Sequence, residues 1–244
     1  MGNLTMSGAN TVGGGEYNDV TMSGACRITS DTICNSFKCS GACKVEGTLE
    51  CDSFEASGAS KVFGKVSCGG LFKCSGATNV GGACVNKLRT SGAFSSGGSV
   101  EVKTLAKLSG TANIDGDLTS ETIAVDGSIS VKGDVNAESF NCEMSLSSKS
   151  NAGTIGGSEI KIVRKISDSG VFAGIIRSIF GGSEKPIFTV DEIEADSIEL
   201  EGVHARVVRG NDINIGSDCK IKRVEYTGKV TYADSAEIGE LVEI

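Results

Sequence analysis

Ten cysteines and a single histidine are the residues of this 244-residue chain best suited to chemistry. The thiols fall at positions 26, 34, 39, 43, 51, 68, 74, 84, 142 and 219. No two of them share the Cys-x-x-Cys spacing of a zinc knuckle or a redox pair. Their spacing follows another logic: Cys34, Cys51 and Cys68 are 17 residues apart, and so are Cys26 and Cys43. In a repeat, residues one period apart stack, and a buried Cys then acts as a small hydrophobe. The cysteines therefore read as structural, reduced thiols. His204 alternates outward with Arg206 between Val203 and Ala205, which predicts a surface residue. Asp191, Glu192, Glu194 and Asp196 read as a solvated face, not a catalytic pair. No nucleophile elbow, phosphate loop or paired-histidine motif is present. The expectation is a protein that is not an enzyme, with no catalytic, cofactor-binding or metal-binding residues and no cofactor.

The elements that would position these residues are set by a repeat. Ser-Gly-Ala recurs from Ser7, Ser23, Ser40, Ser57, Ser75 and Ser91, and weakens to Ser109-Gly-Thr and Asp126-Gly-Ser. The central glycines, from Gly8 to Gly127, are spaced 16, 17, 17, 18, 16, 18 and 17 residues apart. Within one period, Cys39, Cys43, Val45, Leu49 and Cys51 alternate with Lys38, Lys44, Glu46, Thr48, Glu50 and Asp52. Such alternation marks strands with one buried face. Gly41 and Gly47 interrupt it where corners need glycine. The pattern predicts an all-β fold, a single-stranded parallel β-helix (β-solenoid) of about 17 residues per coil. Leu4, Val20, Phe37, Phe54, Leu71, Leu88, Leu105, Ile123 and Phe140 open successive coils and would form one core row.

The period divides the chain into three parts. Residues 1–145 form a first array. Residues 146–186 are an insertion, in which Ile160 to Ile166 could still be a strand. Residues 187–244 form a second, acidic array stacked on the first, about eleven or twelve coils in all and a rod of roughly 50–60 Å. In the insertion, Phe172, Ile175, Ile176, Ile179 and Phe180 share one helical face. They predict a short amphipathic helix that docks on the rod, on a partner or on a membrane surface. Composition agrees with a thin-cored fold: 34 Gly, 1 Pro, no Trp and 5% aromatics.

Net charge is −8, of which −7 lies in residues 187–244. That balance argues against nucleic acid as a partner, because phosphate binding uses a dense basic surface. No secretory signal opens the chain, and no window nears the ~18 apolar residues of a membrane span. The expectation is a cytoplasmic protein, with the inner membrane surface as an alternative contact.

The Ser-Gly-Ala coils, with the tail from Val207 to Gly216 and from Arg223 to Gly228, resemble the bactofilins, the bacterial polymer-forming cytoskeletal proteins. The chain is most similar to the longer form with an insertion and a second repeat array. The resemblance implies a right-handed β-helix that polymerises end to end without nucleotide. It also implies a scaffold role, with envelope or motility proteins as partners. The chain departs from the short members, which have one central array and disordered, often Pro-rich flanks. The residues point to self-assembly independently, since an open coil end templates another chain unless it is capped. Coil pattern begins at once with Met1, Leu4 and Met6, and Ile238, Leu241, Val242 and Ile244 keep the other end apolar. Both sets are expected to be polymerisation surfaces of a homopolymer. The competing readings are a β-helix acyltransferase-like enzyme, which two Ile-Gly pairs faintly suggest, and a β-solenoid binding module that does not polymerise.

Overall fold

A computed structural model describes residues 1–145, 148–165 and 185–244. The chain is an all-β solenoid of parallel strands, with about 13 turns some 17 residues apart. Strands form because small, β-branched and thiol side chains alternate with polar ones. The strand Thr32–Cys39 shows the result, with Thr32, Cys34, Phe37 and Cys39 buried and Ile33, Asn35 and Lys38 exposed. Six inward rows run the length of the rod, two from each of three short segments per coil. One row reads Tyr17, Cys34, Cys51, Cys68 and Val85. Another reads Val12, Ile28, Val45, Val62 and Val80. No coil closes a core alone; each inward side chain is covered by its equivalents above and below.

The coil-opening row is Leu4, Val20, Phe37, Phe54, Phe72, Leu88, Ala106, Ile123, Phe140, Ile160, Ile198, Ile213 and Val230. Phe72 and Ala106 replace the expected Leu71 and Leu105. The two long periods each hold one extra residue, taken up as a β-bulge before the row position. A one-residue slip turns a side chain to the other face, so Leu71 is left 36% exposed. Phe37, Phe54 and Phe72 stack with ring centroids 5.3 and 4.2 Å apart. Phe94 and Phe188 come from a different inward row and meet Phe72 and Phe140 edge-on.

Two kinds of corner hold the coils in step. At the Ser-Gly-Ala corner, a Cβ on Gly41 would sit 2.2 Å from the Gly24 carbonyl oxygen. Only glycine lets backbones stack that closely. At the next corner an aspartate receives the following coil: Thr48 N–H donates to Asp31 Oδ1 at 2.7 Å, Asp134 N–H to Asp117 at 3.0 Å and Thr154 N–H to Asp134 at 3.1 Å.

The loss of sequence period after residue 145 does not interrupt the ladder. Lys149–Arg164 is a full coil, 20 residues beyond its predecessor at Phe140–Ile160, and it pairs onward with Ile187–Leu200. No helix is present among the described residues. The expected helix over Phe172–Phe180 lies outside them.

Candidate functional site

The cysteines stack as their spacing predicts. Cys34, Cys51 and Cys68 share one inward row, while Cys26 and Cys43 share another that continues as Ser60 and Thr78, whose hydroxyls are 2.9 Å apart. One expectation is corrected: Cys39 and Cys43 form a disulfide. They belong to different inward rows, and the Ser40-Gly41 corner between them brings their Cα atoms to 6.4 Å, within disulfide range. A search for Cys-x-x-Cys misses this pair, because three residues, not two, turn a corner here. Burial pushes four other thiols up, Cys34 and Cys142 to about 12, Cys74 to about 11, and Cys219 in the same direction. Cys68 moves down, through its neighbour Cys51 first. Among the described residues, no three His, Cys, Asp or Glu side chains are arranged to hold a metal ion.

His204 is half-buried on the outer face, in the row Thr189, His204, Lys220 and Glu237, and it lines an open groove with Arg206 and Lys222. The acids of residues 187–244, expected to be a solvated face, are largely paired. Arg206 binds Asp191 at 2.8 Å, and Arg209 binds Glu194 at 3.0 Å and Glu225 at 2.7 Å. Arg223 also binds Glu225, at 2.6 Å, and Glu240 at 2.8 Å. Two arginines hold the Glu225 carboxyl below its ordinary range. The available signal was the row Glu194, Arg209, Glu225, which alternates in sign at one coil per step.

Each terminal coil pairs with its neighbour on one side. The strand Gly2–Val12 pairs with Gly15–Ile28, and Glu237–Glu243 pairs with Lys220–Tyr226. Neither has a second partner strand among the described residues. Met6 is buried over Met22, Leu4 is half-buried over Val20, and Met1 is exposed. At the far end, Ile238 and Leu241 occupy inward rows above Ile221 and Val224, with Leu241 43% exposed. Val242 lies in an outward row above Glu225, and Ile244 is exposed, its N–H bonded to the Tyr226 carbonyl at 2.9 Å. The apolar run at this end therefore splits between two faces. Tyr232, 59% exposed above Ile215, belongs to the inward set and escaped the sequence reading. The Phe172–Phe180 stripe lies outside the described residues.

An open groove follows the Ser-Gly-Ala corner. Its floor is the exposed alanine ladder Ala9, Ala25, Ala42, Ala59 and Ala77, and Arg27, Lys44 and Lys61 rise beside it in register.

Fold and surfaces together define a parallel β-solenoid whose first and last strands each pair on one side only among the described residues. No family profile matches the chain, and no solved structure matches it. The chain is similar to an uncharacterized protein of Bacillus subtilis (strain 168), YhbE, with 46% identity over 54 residues. That match spans 22% of this chain and 23% of the length of YhbE. No helix among the described residues is long and apolar enough to cross a membrane.

Proposed function

We propose that this protein is a structural scaffold that joins copies of itself end to end into nucleotide-independent filaments, as expected of the bactofilins it resembles. One observation carries the reading. Both terminal coils leave a ladder edge without a partner strand among the described residues, over inward rows that stay apolar to Leu4 at one end and Leu241 at the other. Such an edge accepts another strand, and each added coil stabilises its neighbour. Covering Leu4, Ile238 and Leu241 removes the apolar area they still expose from water, worth about 25 cal/mol per Å². In this reading the protein has no catalytic role and works in the cytoplasm. It organises envelope or motility machinery, with the inner membrane surface as a further partner.

Negative-stain electron microscopy of the purified protein without nucleotide, across protein and salt concentration, tests the proposal. Long thin filaments are expected. Monomers or discrete trimers under every condition would overturn it, and would favour the acyltransferase-like or binding-module alternative. Leu241→Glu should remove filaments while leaving the thermal unfolding transition of the monomer in place.

A further inference from the structure

Cys51 and Cys68 are equivalent residues of adjacent coils, paired directly in a parallel ladder. In-register neighbours of such a ladder lie ~4.8 Å apart, inside the ~4.4–6.8 Å Cα range that a disulfide spans. Their surroundings set them apart from the other stacked thiols. The coil containing Cys68 carries its extra residue directly after it, at Gly69–Leu71, where the register with both neighbouring coils shifts. A bulge of this kind frees backbone donors from the ladder, and the Gly70 N–H, within the bulge, favours the Cys68 thiolate. The Cys51 thiol, its neighbour in the row, and the Phe54 N–H favour it too. Together these donors favour the thiolate and draw Cys68 down to about 7, first through the Cys51 thiol, against burial, which opposes ionisation. Cys51 moves up, through Cys68 first and burial second. When Cys68 is protonated, its S–H instead reaches the Asp52 carbonyl at 3.5 Å. A groove over this row is bordered by Asn35, Asp52, Asn86 and the half-buried Cys84, and it reaches Cys34, Cys51 and Cys68.

We propose that Cys51 and Cys68 are a redox-responsive pair that hydrogen peroxide converts into a disulfide linking two adjacent coils. The Cys68 thiolate attacks one peroxide oxygen, forming an S–O bond as the O–O bond breaks. The hydroxide released takes up the proton that Cys68 gave up on ionising and becomes water. The Cys51 sulfur then attacks the Cys68 sulfenic acid, and an S–S bond forms as the S–O bond breaks. The Cys51 proton leaves with the hydroxyl as a second water. Two thiols lose two electrons and two protons, and one peroxide is reduced to two waters. The assignment is independent of filament formation.

Tryptic mapping of the full-length protein, treated with hydrogen peroxide and then alkylated in denaturant, tests it. Cleavage after Lys44, Lys61, Lys65 and Lys73 puts Cys51 alone in peptide 45–61 and Cys68 alone in peptide 66–73. The expected product is these two peptides joined with loss of two hydrogens, and separated again by a reductant. Cys84→Ser should leave the joined peptide unchanged. In Cys51→Ser, Cys68 should instead be trapped as a sulfenic acid by dimedone. Peptide 28–38, which carries Cys34, joined to 45–61 in place of 66–73 would overturn the assignment. So would Cys51 and Cys68 both remaining open to alkylation.

Discussion

The Arg164 guanidinium lies 2.6 Å from the Asp218 carboxylate, joining residues 54 positions apart in sequence. Arg164 also donates to the Pro186 carbonyl at 3.3 Å, and Lys185 reaches Asp218 at 2.8 Å. Asp218, which adopts a positive φ of 56°, thus holds Arg164, at the end of one strand, and Lys185, just before the next, at one corner of a later coil. Gly202 makes room for this clamp: a Cβ there would lie 2.7 Å from the Arg164 guanidinium.

Arg164 is mostly buried, at 16% side-chain exposure, so Arg164→Ala removes charge-assisted bonds in a partly desolvated site. The expected loss is about 1–3 kcal/mol of unfolding free energy. Faster amide exchange should accompany it at Phe188 and Gly202, whose N–H groups close the same corner. The Asp218 carboxyl is held below its ordinary range by Lys185 first and Arg164 second. A lowered folded pKa contributes stability that is present above the unfolded value of about 3.9 and is lost as pH falls through the folded value. Asp218→Asn should therefore be less stable than wild type at neutral pH, and the gap should close in acid below about pH 4. A gap independent of pH would show that the carboxylate charge is not what the clamp uses. Urea unfolding at a series of pH values measures it.

Phe54 stacks between Phe37 and Phe72 with 1% exposure. Phe54→Ala leaves a cavity inside a ladder that cannot collapse without shifting two neighbouring coils. The expected destabilisation is about 3–5 kcal/mol, measured by denaturant unfolding. Leu71→Ala, one residue from Phe72 but outward, should cost less than about 1 kcal/mol.

Gly41 and Gly8 occupy equivalent corners with different surroundings. An alanine at Gly41 would drive its Cβ into the Gly24 carbonyl, whereas nothing lies within 4 Å of a Cβ at Gly8. Gly41→Ala should cost about 1–3 kcal/mol or more through forced backbone shifts. Gly8→Ala, at φ 76°, carries only the left-handed backbone strain of about 1–2 kcal/mol. Thermal unfolding of the two variants side by side should rank Gly41→Ala as the more damaged.

The sequence by itself determined the solenoid, its period and the stacking of its thiols. In a parallel stack, residues one coil apart are forced into contact, so recurrence in sequence is recurrence in space. That is why Cys34, Cys51 and Cys68 could be placed in one row from spacing alone. Tertiary structure decided whatever depends on a one-residue difference or on a corner. The bulges that put Phe72 and Ala106 in the core row, in place of Leu71 and Leu105, sit at a position within the coil that the count of 18 leaves open. The Cys39–Cys43 bond depends on two rows converging across a turn, and the regular coil Lys149–Arg164 on backbone pairing that survives a lost side-chain pattern. The Arg164–Asp218 clamp joins residues 54 positions apart, a separation that hides their proximity. Periodicity reports which residues stack along the rod; only the three-dimensional path of the backbone reports which meet around it.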